Sequence, residues 1–351
     1  MSLNDPAPRA LRLELAIEAG LTLPEVGALA VFHPKAGESL SPLPAPRLVV
    51  ITPHATDHAA FRAQGLTCST APEGRFAASM VCLPRSRAEA RDLIAQAAAV
   101  TDGPLVIDGQ KTDGVDAMLK DLRGRVPVSE PIAKGHGKIF WFPSPGGALA
   151  DWRAAAGRCE GDGRVWHTLP GLFSADGIDP ASALLAQALP EGLKGVVADL
   201  GAGWGYLSTR LLERAPGVTA LHLVESDARA LDCARANVTD PRAVFHWADA
   251  TRPLPRLPLD AVIMNPPFHQ GREARPALGA AFIAAAAAML KTSGQLFLVA
   301  NRHLPYESAL LGAFRKVTEL PGSPGFKIVH AEGPIRASAG APRATHKGGR
   351  R

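Results

Sequence analysis

This sequence has little cysteine and no sign that any of it is paired. Cys68, Cys82, Cys159 and Cys233 fall at no CxxC or other metal-ligand spacing, which excludes a zinc ribbon or a disulfide framework and suits a reducing cytosol. His54 and His58, with Asp57 between them, lack a third spaced ligand; they read as surface, and no metal is expected. Aromatic residues make up only 5% of the chain, so each well-placed Phe or Trp is more informative than usual. Long apolar runs are also missing. The longest, Ala277 to Leu290, is 14 residues and mostly alanine, too short to span a bilayer and expected as a packed helix. The N-terminus carries an early acid and no apolar h-region, so no signal peptide, no membrane partner and a cytoplasmic location are expected.

What is present points to a globular α/β protein. At 351 residues the chain exceeds one ordinary core, and two domains are the default. The formal net charge of +5 permits a nucleic-acid partner without requiring one. Its distribution is uneven: Arg336, Arg343, Lys347, Arg350 and Arg351 close the chain with no acid among them. Residues 336–351 are therefore expected as a flexible basic tail.

From about Leu193 onward, apolar strands alternate with helices, the pattern of a parallel, doubly wound sheet. Strands are expected at 196–198, 221–224, around 244–245, 261–264 and 296–299, with helices at 206–214, 228–237 and 275–291. The first half repeats that order faintly. Leu83-Pro84 falls where Asn265-Pro266 falls, Gly103-Pro104-Leu105 where Gly294-Gln295-Leu296 falls, and HGKIFWF matches PGFKIVH. A duplicated domain follows. The halves differ where chemistry would sit: the second has Gly201, Gly203 and Gly205 after its first strand, and the first has His33-Pro34-Lys35-Ala36-Gly37. The glycine-rich interval between Gly146 and Gly163 marks the boundary, giving units at 1–155 and 163–335.

The segment VVADLGAGWGYLS is a strand, a glycine turn and a helix start. Glu225 follows 24 positions after Gly201 and ends the apolar run Leu221 to Val224. In a doubly wound sheet both lie at carboxyl ends of adjacent strands, where ligands bind, and a carboxylate there can accept from ribose hydroxyls. A dinucleotide is the obvious rival. Asp199, however, stands at the strand end before the glycines, where it would oppose a pyrophosphate and suit the ammonium of an amino-acid moiety. That favours S-adenosylmethionine over a dinucleotide. Asp249, closing the third strand, is placed to accept from an adenine amino group, although an acid there is also a common turn residue. Trp204 either borders the cofactor or packs.

The strand Val262-Ile263-Met264 then stops at Asn265-Pro266-Pro267-Phe268. DLGAGWG, VESDA and NPPF resemble the class I methyltransferases that act on planar exocyclic amines. MNPPFHQG, with LPGLFSADGIDPAS (Leu169 to Ser182) and VANRHLPYE (Val299 to Glu307), resembles the ribosomal RNA guanine-N2 methyltransferases, most of all the small-subunit RsmC type. The resemblance is strong from Leu169 to Ala331 and weak through the first half. It implies two tandem Rossmann-like domains, the first degenerate and used to dock RNA, and S-adenosylmethionine as cofactor. It also implies transfer to guanine N2 in ribosomal RNA, free or within a subunit, with a monomer expected. Asp199, Gly201, Gly203, Glu225, Asp249 and Asn265 would hold the cofactor. Asn265, Pro266, Pro267 and Phe268 would carry the chemistry, and Phe173 would close over cofactor or base. Arg85, Arg87 and Lys111 are candidate phosphate contacts.

The elbow has its own physical logic. An aromatic amine delocalises its lone pair and is a poor nucleophile. Accepting both its N–H bonds, at the Asn265 amide oxygen and the Pro266 carbonyl, frees that lone pair, and proline fixes both acceptors in advance. Phe268 can stack on the base. Two rivals remain: the same chemistry on another planar amine (guanine N2 of large-subunit ribosomal RNA, adenine N6 or a protein glutamine), and a non-catalytic RNA assembly factor. Intact Asp199, Gly201, Glu225 and Asn265 argue against the last.

Overall fold

The computed structural model describes residues 8–255, 257–267, 269–270, 273–274 and 276–336. Two sheets of seven strands carry the chain. The first contains β1 (Leu29–Phe32), β2 (Leu48–Ile51), β3 (Thr67–Ser69), β4 (Ala78–Cys82), β5 (Leu105–Gln110), β6 (Ile132–Lys134) and β7 (Gly137–Phe142), in the order 3-2-1-4-5-7-6. Every residue of β1 and β4 is buried, as helices on both faces of a parallel sheet require. Those helices are α1 (Pro8–Glu18), α2 (Ala55–Ala63), α3 (Arg87–Val100) and α4 (Val115–Arg123).

A hairpin, β8 (Gly157–Gly161) with β9 (Arg164–Thr168), leads into the second sheet. The first core keeps Leu149 and Trp152, and the second takes Cys159 and Trp166. The second unit runs α5 (Pro180–Ala188), β10 (Lys194–Leu200), α6 (Tyr206–Arg214), β11 (Gly217–Glu225), α7 (Ala228–Asn237), β12 (Ala243–Trp247) and β13 (Leu259–Met264). A short pair follows, β14 (His269–Gln270) with β15 (Glu273–Ala274), then α8 (Pro276–Met289), β16 (Leu290–Asn301), α9 (Glu307–Ala313), β17 (Phe314–Leu320) and β18 (Phe326–Pro334). The sheet order 12-11-10-13-16-18-17 repeats that of the first half strand for strand.

The alternating pattern suggested wholly parallel sheets; the structure corrects this. β7 and β18 run antiparallel to β5 and β16, and the edge strands β6 and β17 pair antiparallel with them. The reason is connection length, because β6–β7 and β17–β18 are joined by turns too short for a crossover. The alanine-rich run forms α8. Among the described residues no helix is long and apolar enough to cross a membrane.

A second correction concerns His54, Asp57 and His58. They are not free surface: Asp57 is 7% exposed, and His54 forms a backbone bridge with Asp227 of the second half. Burial pushes the His54 imidazole down to about 4. The carboxyl end of β2 meets the carboxyl end of β11 here. Ala228 N–H donates to Pro53 O (2.9 Å), Ala55 N–H to Ser226 O (2.8 Å), and Trp247 Nε1 to both Pro53 O and Ser226 O (2.8 Å each).

Helix α1 was not expected, because buried arginines break its apolar stripe. Arg12 and Asp108 are both 0% exposed, and Asp108 accepts from Arg12 Nε (2.6 Å), Arg12 Nη2 (2.8 Å) and Arg9 Nε (2.7 Å). This fork fastens α1 to β5. Removing one member of a buried ion pair leaves the others uncompensated, at a cost of ~3–5 kcal/mol. Asp108→Ala is therefore expected to lower the urea midpoint by that much stability, while an exposed control such as Glu73→Ala leaves it unchanged.

Candidate active site

The carboxyl ends of β11, β10 and β13 lie side by side and bring Glu225, Asp199 and Asn265 to one edge. Asp199 is fully buried, with Oδ2 accepting from Ser208 Oγ (2.7 Å). Its Oδ1 has no hydrogen-bond partner among the described residues. Burial pushes this carboxyl up to about 7. A buried acceptor left open in this way is costly unless something donates to it. Glu225 is better satisfied. Its Oε1 accepts from Ser226 N (2.7 Å) and Asp227 N (2.9 Å), and its Oε2 from Gly203 N (2.9 Å). Burial nevertheless raises its pKa above the ordinary range. Gly203 adopts φ +55°, and a Cβ there would meet nothing within 4 Å; the missing side chain leaves open space above the turn.

That space belongs to a cleft whose lining includes Phe173, Asp179, Ser182, Gly201, Gly203 and Asn265. The Asn265 amide is held firmly in it. Its Nδ2 donates to Asp179 Oδ2 (2.9 Å) and to Ser182 Oγ (2.9 Å). Both N–H bonds are thus spent, and Oδ1 is left as an acceptor. Asp179 also caps α5, accepting from Ser182 N (2.7 Å) with Pro180 behind it. Neither Asp179 nor Ser182 was singled out from the sequence. The capping signal in IDPAS was legible, but nothing in it reveals that the cap faces Asn265.

Trp204 packs rather than lying open. Its ring sits 5.3 Å from Trp166 and 5.9 Å from Tyr206, and its Nε1 donates to Phe173 O (3.0 Å). The hairpin β8–β9 supplies Trp166, so this hairpin braces the glycine turn. Phe173 itself is 58% exposed on the lip of the cleft. Pro266 is buried and Pro267 exposed, while Phe268 lies outside the described residues. Asp249 does not line the cleft. Its Oδ1 accepts from Thr251 N (2.9 Å) and Thr251 Oγ1 (2.6 Å), closing a turn. Arg85, Arg87 and Lys111 are all exposed, and Arg87 also pairs with Asp121 at 2.7 Å. Arg336 is docked, with Nη1 donating to Ala288 O (3.0 Å); residues 337–351 lie outside the described residues. No group of three or more His, Cys, Asp or Glu able to hold a metal occurs among the described residues.

Residues 164–330 match the model of the methyltransferase small domain. The ribosomal RNA small subunit methyltransferase C of Pseudomonas paraeruginosa is 32% identical over 277 residues, covering 75% of this chain and 81% of that protein. The chain belongs to this methyltransferase family. The ribosomal RNA large subunit methyltransferase G of Shewanella oneidensis is also 32% identical, but the match spans only 47% of this chain and 45% of that protein. Among solved structures, the T. thermophilus 16S rRNA N2 G1207 methyltransferase (RsmC), in complex with AdoMet and guanosine, superposes with a TM-score of 0.74. It is 26% identical and is covered to 94%, as is this chain. Membership fits the site on its own chemistry: the open Asp199 oxygen, the side-chain-free Gly203 turn and Glu225 suit a cationic nucleoside.

The brace on the lip gives a direct test. Trp204→Phe removes one hydrogen bond, worth ~0.5–1.5 kcal/mol. Amide exchange over 170–177 is expected to quicken by about 2- to 10-fold while exchange in β10 and β13 is unchanged.

Proposed function

We propose that this chain transfers a methyl group from S-adenosylmethionine to the exocyclic N2 of a guanine in small-subunit ribosomal RNA, free or within a partly assembled subunit. The observation that carries the reading is the Asn265 amide, with both N–H bonds held by Asp179 and Ser182 and its oxygen left to accept. When bound, the cofactor supplies a methyl already activated on a sulfonium.

The residues of the chain do the rest. Asp199 accepts the ammonium through Oδ1, and Glu225 accepts from the ribose, its Oε2 carrying only the Gly203 donor. Asp249, after β12 and one strand over from Glu225, would meet the adenine end through Oδ2, since Oδ1 is held by Thr251. Asn265 Oδ1 and the Pro266 carbonyl accept the two N–H bonds of the amine and localise its lone pair. Held this way, the lone pair would stand in line with the methyl that the cofactor supplies, and that placement would give most of the acceleration. The alkylated nitrogen is acidic and releases its proton to solvent, so no strong base is needed. Phe173 and Phe268 stack on the unstacked base. The first half, residues 1–155, docks RNA, with Arg85, Arg87 and Lys111 toward phosphates.

Tritiated methyl transfer to ribosomal subunits from a strain lacking the protein, followed by nucleoside analysis, tests this reading. N2-methylguanosine in 16S rRNA is expected. Label in 23S rRNA, in N6-methyladenosine or in protein alone would refute it. Asn265→Ala is expected still to bind cofactor and to lose about 100-fold or more in kcat. Asp179→Ala should lower kcat in the same direction, because the amide is then free to rotate.

The pH dependence has a definite sign. The Asp199 carboxyl is raised from 3.8 to about 7, and a cationic ligand prefers it ionised. Below pH 7 binding must expel a proton, so affinity falls as pH falls. The dissociation constant of S-adenosylmethionine is expected to be about tenfold higher at pH 6 than at pH 8. In Asp199→Asn binding should be weaker throughout and flat across this range; an unchanged slope would exclude Asp199 as the titrating group.

A further inference from the structure

One carboxylate of the first half touches two segments of the second that lead to the site, the loop after Glu225 and the turn before Phe173. Glu89 lies in the first turn of α3, the helix that follows Leu83-Pro84, and Ser86 caps that turn by accepting from Glu89 N. The Glu89 side chain is 11% exposed, and its Oε1 accepts from Arg229 Nη1 (2.8 Å). Arg229 simultaneously grips Asp227 through Nε (3.1 Å) and Nη2 (2.7 Å). The Asp227 N–H is one of the donors that fix Glu225.

The other segment is met at Gly171. A Cβ on Gly171 would stand 2.4 Å from Glu89 Oε2, and its φ is +88°. Only glycine lets this loop lie against the carboxylate, and the loop leads directly to Phe173 on the lip. His33 Nδ1 stands 3.8 Å from Oε1. Burial holds that imidazole well below its ordinary pKa, so Arg229 is the charged partner at neutral pH.

We infer that Glu89 is a positioning residue through which the first half sets the cofactor affinity of the second. Its carboxylate holds the Arg229–Asp227 loop under Glu225 and seats the Gly171 turn beneath Phe173. The first half is then part of the cofactor site as well as an RNA dock. This rests on the methyltransferase reading above.

The experiment is equilibrium dialysis of S-adenosylmethionine against the full chain, with Glu89→Ala, Arg229→Lys and the double variant. Lysine keeps a charge beside Asp227 but cannot span both carboxylates. Each single variant is expected to raise the dissociation constant about tenfold, and the double variant by much less than the product, since the residues act as one unit. The kcat at saturating cofactor should change by less than about threefold, a split that general destabilisation would not give. Should Glu89→Ala melt below the assay temperature, Arg229→Lys carries the test. Single variants that bind within about twofold of wild type, or effects that multiply, overturn the inference alone. A wild-type chain that binds no S-adenosylmethionine overturns this inference and the functional reading together.

Discussion

A primary amide presents its oxygen reliably only when its two N–H bonds are engaged elsewhere; otherwise rotation exchanges acceptor for donor. Asp179 and Ser182 impose that constraint on Asn265, and much of the site's geometry serves it. Asp179 must face β13 while capping α5, so α5 has to pack beside the end of the sheet. The hairpin β8–β9 and the loop through Phe173 lead the chain to that place. Trp166, Trp204 and Tyr206 lock this approach to the glycine turn. The amide is therefore rigid because several elements over-determine it, as electrostatic preorganisation requires.

The two halves share a strand order and diverge at the same edge. In the second half that edge keeps an open buried acceptor, a bare glycine turn and an amide. In the first half, Leu83 stands in the place of Asn265, packing where a Cβ on Gly109 would be only 2.8 Å from its Cδ1. The end of β2 is covered by Ser226, Asp227 and Trp247 of the other half. An edge that holds no ligand still has backbone donors and acceptors to satisfy, and here they are satisfied by contact with the partner half. On this edge the first half has an interface where the second has its site.

Much of the fold was legible because the second half obeys local rules. Helices α6 and α7 run over the residues that periodicity assigns, since each starts where a glycine or aspartate turn ends a buried strand. The duplication was readable from the proline elbow and the glycine spacings. Features that break local rules were not readable. Helix α1 buries Arg9 and Arg12, which no apolar stripe would suggest. The antiparallel strands follow from connection lengths. His54 and Asp57 look like solvated surface until the opposite half covers them.

For the site, the sequence alone supplied the chemical types and their order: an acid, three glycines, a second acid and an amide followed by two prolines, each at a strand end. Strand alternation fixes that much, because in a doubly wound sheet strand ends from distant segments must converge on one edge. Tertiary structure decided everything that depends on direction and desolvation. It left Asp199 Oδ1 without a donor, tied Asp249 Oδ1 into its own loop, aimed Asp179 at Asn265 and set Glu89 between Arg229 and the Gly171 turn. Those are contacts between residues far apart in the chain, and no local spacing encodes which atom of a side chain will be the one left open.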